Sequence, residues 1–233
     1  MRYVFIYKKA GEEGEGIILR NQCSIDGSSV ARQIQRGATS SLPRYLRNMS
    51  AISAHTASSK TIVYISVKNA AAVLRSAASL NGRIAVVDLS LVVSSFHTHL
   101  ATYQALLNES KGRLKTKAIA SEVLYYLSPS SDVAEAVGQY SISERSTAIA
   151  FILIDAAEGS RDVPMSVRAF QDTVEGLGVQ GEEVNAEEIS APSILTPDKE
   201  LRIAEYFKIT ALDLAESVLE ECVANRLAAK DST

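Results

Sequence analysis

The sequence predicts an α+β protein, a single domain in which a small mixed β-sheet packs with several helices. Three observations support that class. Short runs rich in β-branched and aromatic residues begin near Thr61, Arg83 and Thr147. Longer runs between and after them repeat apolar residues at helical spacing. The two kinds do not alternate strictly, as a doubly wound parallel sheet would require.

The elements follow in order. Tyr3–Tyr7, "YVFIY", reads as a short strand. The turn "KKAGEEGEG" after it has glycines but no Gly-Lys-Ser/Thr ending, and its carboxylates would repel phosphate. Residues 21–60 are rich in Ser, Ala and Arg, with two helical pieces, "SSVARQIQRG" and "LPRYLRNM", too short to persist alone. Residues 1–60 are therefore expected to form a partly disordered N-terminal arm, and residues 61–233 the folded domain. In that domain "TIVYISV" is a strand, and "KNAAAVLRSAASLNG" is a helix stopped by Asn81-Gly82. "RIAVVDL" is a second strand, apolar enough to be central. "SLVVSSFHTHLATYQALLNES" is a longer helix with Leu91, Phe96, Leu100, Tyr103 and Leu107 near one face. After the basic connection "KGRLKTK" come a helix to Leu127, a second short helix "DVAEAVGQY" and the strand "TAIAFILID". Acidic linkers lead to "TPDKELRIAEYF", with Thr196 as cap and Pro197 at the first helical position. A last helix is expected over 211–228, with Ala215, Val218, Leu219 and Cys222 as its buried stripe.

Composition narrows the function classes. Of 233 residues, 46% are hydrophobic and 22% charged, which permits a sizeable core. The two cysteines, Cys23 and Cys222, give no disulfide framework. The longest strongly apolar run, Ala148–Ile154, is far short of the roughly 20 residues that span a bilayer, so no membrane partner is expected. The net charge of −3 hides an asymmetry: residues 27–83 carry eight Lys or Arg and no acid, whereas acids outnumber bases 23 to 12 from Ile84 onward. A basic front and an acidic back suit a nucleic-acid surface, a protein partner or a solvated arm. His97 and His99 lie two apart and face different sides of a helix, so no shared metal site and no catalytic residue is expected.

The most defined segment is "KTKAIASEVLYYLSP", from Lys115 to Pro129. Ile119, Val123, Leu124 and Leu127 share a helical face. Pro129 disfavours helix at Ser128, and Asp132 with Glu135 has the spacing to cap the next helix, giving a helix–turn–helix corner. Packing and capping account for Ser128, Pro129, Asp132 and Glu135. The basic residues before them have two readings: Lys111, Arg113, Lys115 and Lys117 are a solvated surface run, or they form a phosphate-binding ridge positioned by the helix they precede. Tyr125 and Tyr126 offer a possible stacking face for bases.

The stretch "KTKAIASEVLYYLSPSSDVAEAVGQYSI" resembles the signature of the kinase-binding subunit of the KEOPS (EKC) complex, the PRPK-binding protein or CGI-121-type family. Lys115, Lys117, Glu122, Val123, Leu124, Leu127, Ser128, Pro129, Val133, Glu135, Ala136, Tyr140 and Ile142 fall at or near matching positions. Lys68-Asn69-Ala70, "VVDLSLVVSS", "YFKIT" and "NRLAAKD" agree in order, so the resemblance covers 61–233. The chain departs from the pattern at Ser131 and Asp132, where Asn is usual, at Ser141 in place of Gly, and in the order of Thr116 and Lys117. The resemblance implies a non-catalytic accessory subunit without a cofactor, found in nucleus and cytoplasm. It would bind the atypical protein kinase/ATPase subunit and, through that, the threonylcarbamoyl transferase subunit. It would also help recruit tRNA by its 3′ CCA end for threonylcarbamoyladenosine modification. On this reading Lys111, Arg113, Lys115 and Lys117 contact tRNA, with Glu122 in the structural motif. Leu219, Val223 and Leu227 either contact the kinase or complete the core. The alternative is a protein-interaction regulator of the kinase that binds no RNA.

Overall fold

The computed structural model describes residues 60–80, 82–154 and 165–230. The expectations for 1–59, including the Tyr3–Tyr7 strand and the two short helices, lie outside the described residues. The described chain holds four strands: β1 (Thr61–Ile65), β2 (Ile84–Asp88), β3 (Ile149–Leu153) and β4 (Glu182–Val184). Eight α-helices accompany them: α1 (Ala70–Ala77), α2 (Ser95–Ser110), α3 (Ile119–Leu127), α4 (Val133–Tyr140), α5 (Val167–Gly176), α6 (Pro197–Tyr206), α7 (Ala211–Glu216) and α8 (Leu219–Ala229). The α+β class is as expected. None of these helices is long and apolar enough to cross a membrane.

The sheet order is β2-β3-β1-β4, and every described pairing is antiparallel. The expected mixed sheet is thus corrected to an antiparallel one. Its reason is topological: β1 and β2, joined through α1, run parallel to each other, but β3 inserts between them and pairs antiparallel with both. The β2 strand is also not central among these strands but at an end of the order, and β3 takes the centre with all five residues buried. Helix packing buries β2, whose other edge keeps one isolated bridge, Val87 with Ser141.

Side chains alternate between two apolar layers. Ile62, Tyr64, Ile84, Ile149, Phe151 and Leu153 face Val73 of α1 and Phe170 and Val174 of α5. Val63, Ala85, Val87, Ala150 and Ile152 face the larger cluster built from α2, α3, α4, α6 and α8. Asn69, just before α1, ties the first layer together: its amide donates to the Gly178 carbonyl at 2.9 Å and accepts from the Gln180 N–H at 2.8 Å.

The long helix expected from Ser90 is two elements. A 3₁₀ turn at Leu89–Leu91 comes first, and Ser94 then caps α2 by accepting from the His97 N–H. The α2 face toward the core is more polar than the apolar spacing implied, with His97, Thr98 and Thr102 buried beside Leu100, Ala101 and Ala105. The Thr98 and Thr102 hydroxyls donate back to the carbonyls of Ser95 and Thr98 at 2.7 and 2.8 Å, so their burial leaves no orphan group. Near the C-terminus one expected helix is again two, α7 and α8, divided at Ser217, whose backbone is extended. That break removes Ala215 and Val218 from the buried stripe and leaves both exposed.

Candidate nucleic-acid interface

The basic connection is held from both ends by local chemistry. At its start, α2 closes in a Schellman motif: the Gly112 N–H donates to Glu109 O and the Arg113 N–H to Asn108 O, both at 2.9 Å. Gly112 has φ +61°, the left-handed conformation this closure requires and that glycine adopts without penalty. Arg83 anchors the same helix end to β2 through a two-pronged ion pair with Glu109, at 2.7 and 3.2 Å.

At its far end the loop folds over Glu122, which is fully buried in the first turn of α3. The Lys115 N–H is shared between both Glu122 oxygens at 3.0 and 3.1 Å, and the Thr116 N–H donates at 2.8 Å. The Thr116 hydroxyl donates to the same carboxylate at 2.7 Å. One carboxylate therefore receives three donor groups from two adjacent residues. It serves as the loop's anchor, and no water is needed to satisfy it.

Lys111, Arg113, Lys115 and Lys117 are all exposed around this anchor, so the structure brings the four expected cations onto one loop. Lys115 differs from the rest. Its ammonium lies 3.3 Å from the Tyr125 hydroxyl and 5.2 Å from the centre of that ring. The stacking role expected of Tyr125 and Tyr126 is corrected: both rings are buried, at 1% and 2% exposure, and pack edge-to-face on each other. Their apolar bodies fill the core beneath the loop, which leaves no ring face for a base. Tyr126 spends its hydroxyl on the Asn108 amide.

The corner after α3 has the expected capping. Asp132 accepts from the Glu135 N–H at 2.8 Å. Glu135 does not reach back to Asp132 but accepts from the Ser130 hydroxyl at 2.6 Å. Ser128, fully buried beside half-buried Pro129, accepts from the Ser130 N–H at 3.0 Å and shares a 2.6 Å hydrogen bond with the Tyr206 hydroxyl of α6.

Lys230 was not singled out by sequence reasoning, yet it closes the corner. Its ammonium donates to the carbonyls of Tyr125 and Ser128 at 2.6 and 2.8 Å and sits 3.3 Å above the Tyr125 ring centre. A cation on the last carbonyls of α3 meets the negative end of the helix dipole. Only its place at the end of α8 could have flagged it. The expected partner-contact stripe of α8 is corrected in part: Val223 and Leu227 are buried in the main core, and Leu219 is half-buried against it. Continuing a helical stripe past Ser217 assigned to a surface what the turn of the chain puts inside. The apolar side chains that α7 and its exit do expose are Leu212, Leu214 and Val218.

His97 is a core residue. Its Nε2–H donates to the Leu127 carbonyl at 3.0 Å, its Nδ1 has no partner, and its ring packs edge-to-face on Tyr140 and Phe207. Burial holds its pKa down at about 4.

The family model described as kinase binding protein CGI-121 matches residues 64–231 of this chain. Among curated relatives, the EKC/KEOPS complex subunit TPRKB of Danio rerio is 27% identical over 172 residues, 73% of this chain and 89% of that protein. The EKC/KEOPS complex subunit CGI121 of Kluyveromyces lactis is 34% identical over 88 residues, covering 38% of this chain and 55% of the relative. The EKC/KEOPS complex subunit cgi121 of Schizosaccharomyces pombe is 31% identical over 96 residues, 40% and 55% of the two chains. The matched stretches thus span about half the length of these two fungal relatives.

Proposed function

The chain belongs to the kinase binding protein CGI-121 family, and from that premise we propose that it is a non-catalytic accessory subunit of an EKC/KEOPS complex. In this role it binds the atypical kinase/ATPase subunit, reaches the threonylcarbamoyl transferase subunit through it, and helps bring the 3′ CCA end of tRNA to the complex. It acts in nucleus and cytoplasm. The observation that carries the RNA part is the anchored loop: Lys111, Arg113 and Lys117 stand exposed on a backbone that Glu122 fixes. A fixed array of cations suits single-stranded phosphates, which are bound with less ordering cost when the receptor is already ordered. With both tyrosine rings buried, recognition rests on the backbone phosphates of the RNA.

The test is a triple charge reversal, Lys111→Glu, Arg113→Glu and Lys117→Glu, with tRNA affinity measured against salt. All three positions are exposed, so folding is expected to persist. Affinity should fall at least about tenfold, and the salt slope should drop by about 0.7 for each lost phosphate contact. A folded variant with unchanged affinity and slope would remove the loop from the RNA interface.

A second reading, a kinase regulator that binds no RNA, draws on the exposed Leu212, Leu214 and Val218, at 70%, 44% and 40% exposure. We assign the kinase contact to these residues rather than to the buried Val223 and Leu227. Leu212→Asp with Val218→Asp should abolish co-purification of the kinase while leaving the unfolding midpoint near that of the parent. Retained kinase binding would move the interface elsewhere. Co-purified kinase without tRNA from the parent chain would favour the second reading.

A further inference from the structure

At the other end of β2 from the basic loop lies a cavity of about 300 Å³, lined by Asp88, Ser146, Arg145, Thr196, Lys199 and Arg202 among others. Three of its side chains are cationic. Lys199 is 6% exposed, and among the described residues no hydrogen bond or ion pair holds its amine. Its backbone N–H is spent on the Thr196 cap of α6, so only its side chain serves the cavity. Arg145 and Arg202 are exposed at the rim.

The one carboxylate in the lining does not neutralise this group. Asp88 accepts from the Ser90 N–H at 2.7 Å and from the Ser146 hydroxyl, bonds that close the turn after β2. It attracts Lys199 across the cavity without forming an ion pair with it, and Arg202 repels the same amine. Burial is the largest influence and lowers the Lys199 pKa to about 8. The Lys199 stem is buried while its amine faces the cavity, where an anion would supply acceptors. Asp198 and Glu200, the acids in the first turn of α6, do not line the cavity.

We propose that this cavity is an anion site that takes a phosphate group, held by the side chains of Lys199, Arg145 and Arg202. Two guanidinium groups and an ammonium suit a phosphate's geometry and charge. The volume is at the small end for ligand sites, enough for a phosphate with part of its attached sugar. The site is separate from the basic loop. The Ala120 N–H bonds to Gly82 O just before β2, whereas Asp88 ends the strand at the other side, and its five extended residues span roughly 16 Å. The proposal is independent of the RNA-binding reading.

Calorimetric titration of the full chain with inorganic phosphate, adenosine monophosphate and adenosine, at constant ionic strength, tests it. Saturable binding of phosphate and of the monophosphate, and none of adenosine, is expected. Tighter binding of the monophosphate would assign the ligand to a nucleotide, and equal binding to free phosphate. Lys199→Met should weaken binding about tenfold or more, the loss of one charge-assisted hydrogen bond. The exposed double variant Arg145→Gln, Arg202→Gln should do the same without touching the core, and decides the matter if Lys199→Met fails to fold. Arg168→Gln, exposed on α5 and outside the lining, should bind as the parent does. Absence of saturable phosphate binding, or binding unchanged in the double variant, would overturn the proposal.

Discussion

Glu122→Ala is expected to destabilise the protein by about 3–5 kcal/mol, because it leaves the Lys115 and Thr116 N–H groups without their common acceptor, the Thr116 hydroxyl alone keeping the Ala118 carbonyl at 2.9 Å. Glu122→Gln should cost only about 1–2 kcal/mol. An amide oxygen at the Oε2 position still accepts from Thr116 and Lys115; the charge-assisted share is lost, and the NH2 at the Oε1 position no longer accepts from the Lys115 N–H. Chemical denaturation of the two variants measures the contrast. Hydrogen exchange at the Lys115 and Thr116 amides adds a local readout: fast in the alanine variant, close to the parent in the glutamine variant. An alanine variant within about 1 kcal/mol of the parent would mean that water replaces the carboxylate and that the loop does not depend on it.

Acid should weaken the fold through His97. Its pKa is about 4 in the folded protein against an ordinary 6.5. Above pH 6.5 the ring is neutral folded and unfolded, and its contribution is fully present. Between 6.5 and about 4 the unfolded chain takes up the proton and the folded chain does not, so stability falls as pH falls. The whole window is worth about 3 kcal/mol at 1.36 kcal/mol per unit. His99, also lowered by burial, adds in the same direction, while the raised Glu200 opposes it. Unfolding free energies of the parent and of His97→Gln across this range separate the contributions. The variant should be less stable at neutral pH and distinctly flatter toward acid. Parallel pH curves would show that His97 stays neutral by no constraint of its own.

The parts of the fold that were legible in the sequence are those decided within a few residues. Ser128-Pro129 stops a helix wherever it occurs, Asp132 caps at a fixed spacing, and Thr196-Pro197 starts α6 as written. Two elements were missed because their causes are distant. The β4 residues "EEV" have no strand propensity worth the name and are extended because β1 pairs with them, Ile65 opposite Glu182 and Val63 opposite Val184. The helix α5 carries its burial on only Phe170 and Val174, one turn of apolar spacing inside a polar stretch. The candidate site divides the same way. A run of cations is visible in any reading of the chain, but Glu122 reaches back six and seven residues to a loop, a span that no helical or strand period marks. Lys230 lies more than a hundred residues from the carbonyls it caps. Lys199 and Arg202 lie three apart on α6 and so share a face, but Arg145 joins them from a loop more than fifty residues earlier, which sequence order does not mark.

Among the described residues, the short strand β4 also ends the sheet on one side. It is three residues long, and two of them are glutamates that stand exposed, Glu183 taking a 3.4 Å hydrogen bond from Tyr64. A free strand margin invites a second molecule to zip onto it, backbone to backbone. Here any copy arriving in register would bring its own carboxylates against these two, over too few residues for the ladder to compensate. The strand that no propensity scale would have chosen thus acts as a guard against self-association, and its poor β-forming composition is what qualifies it.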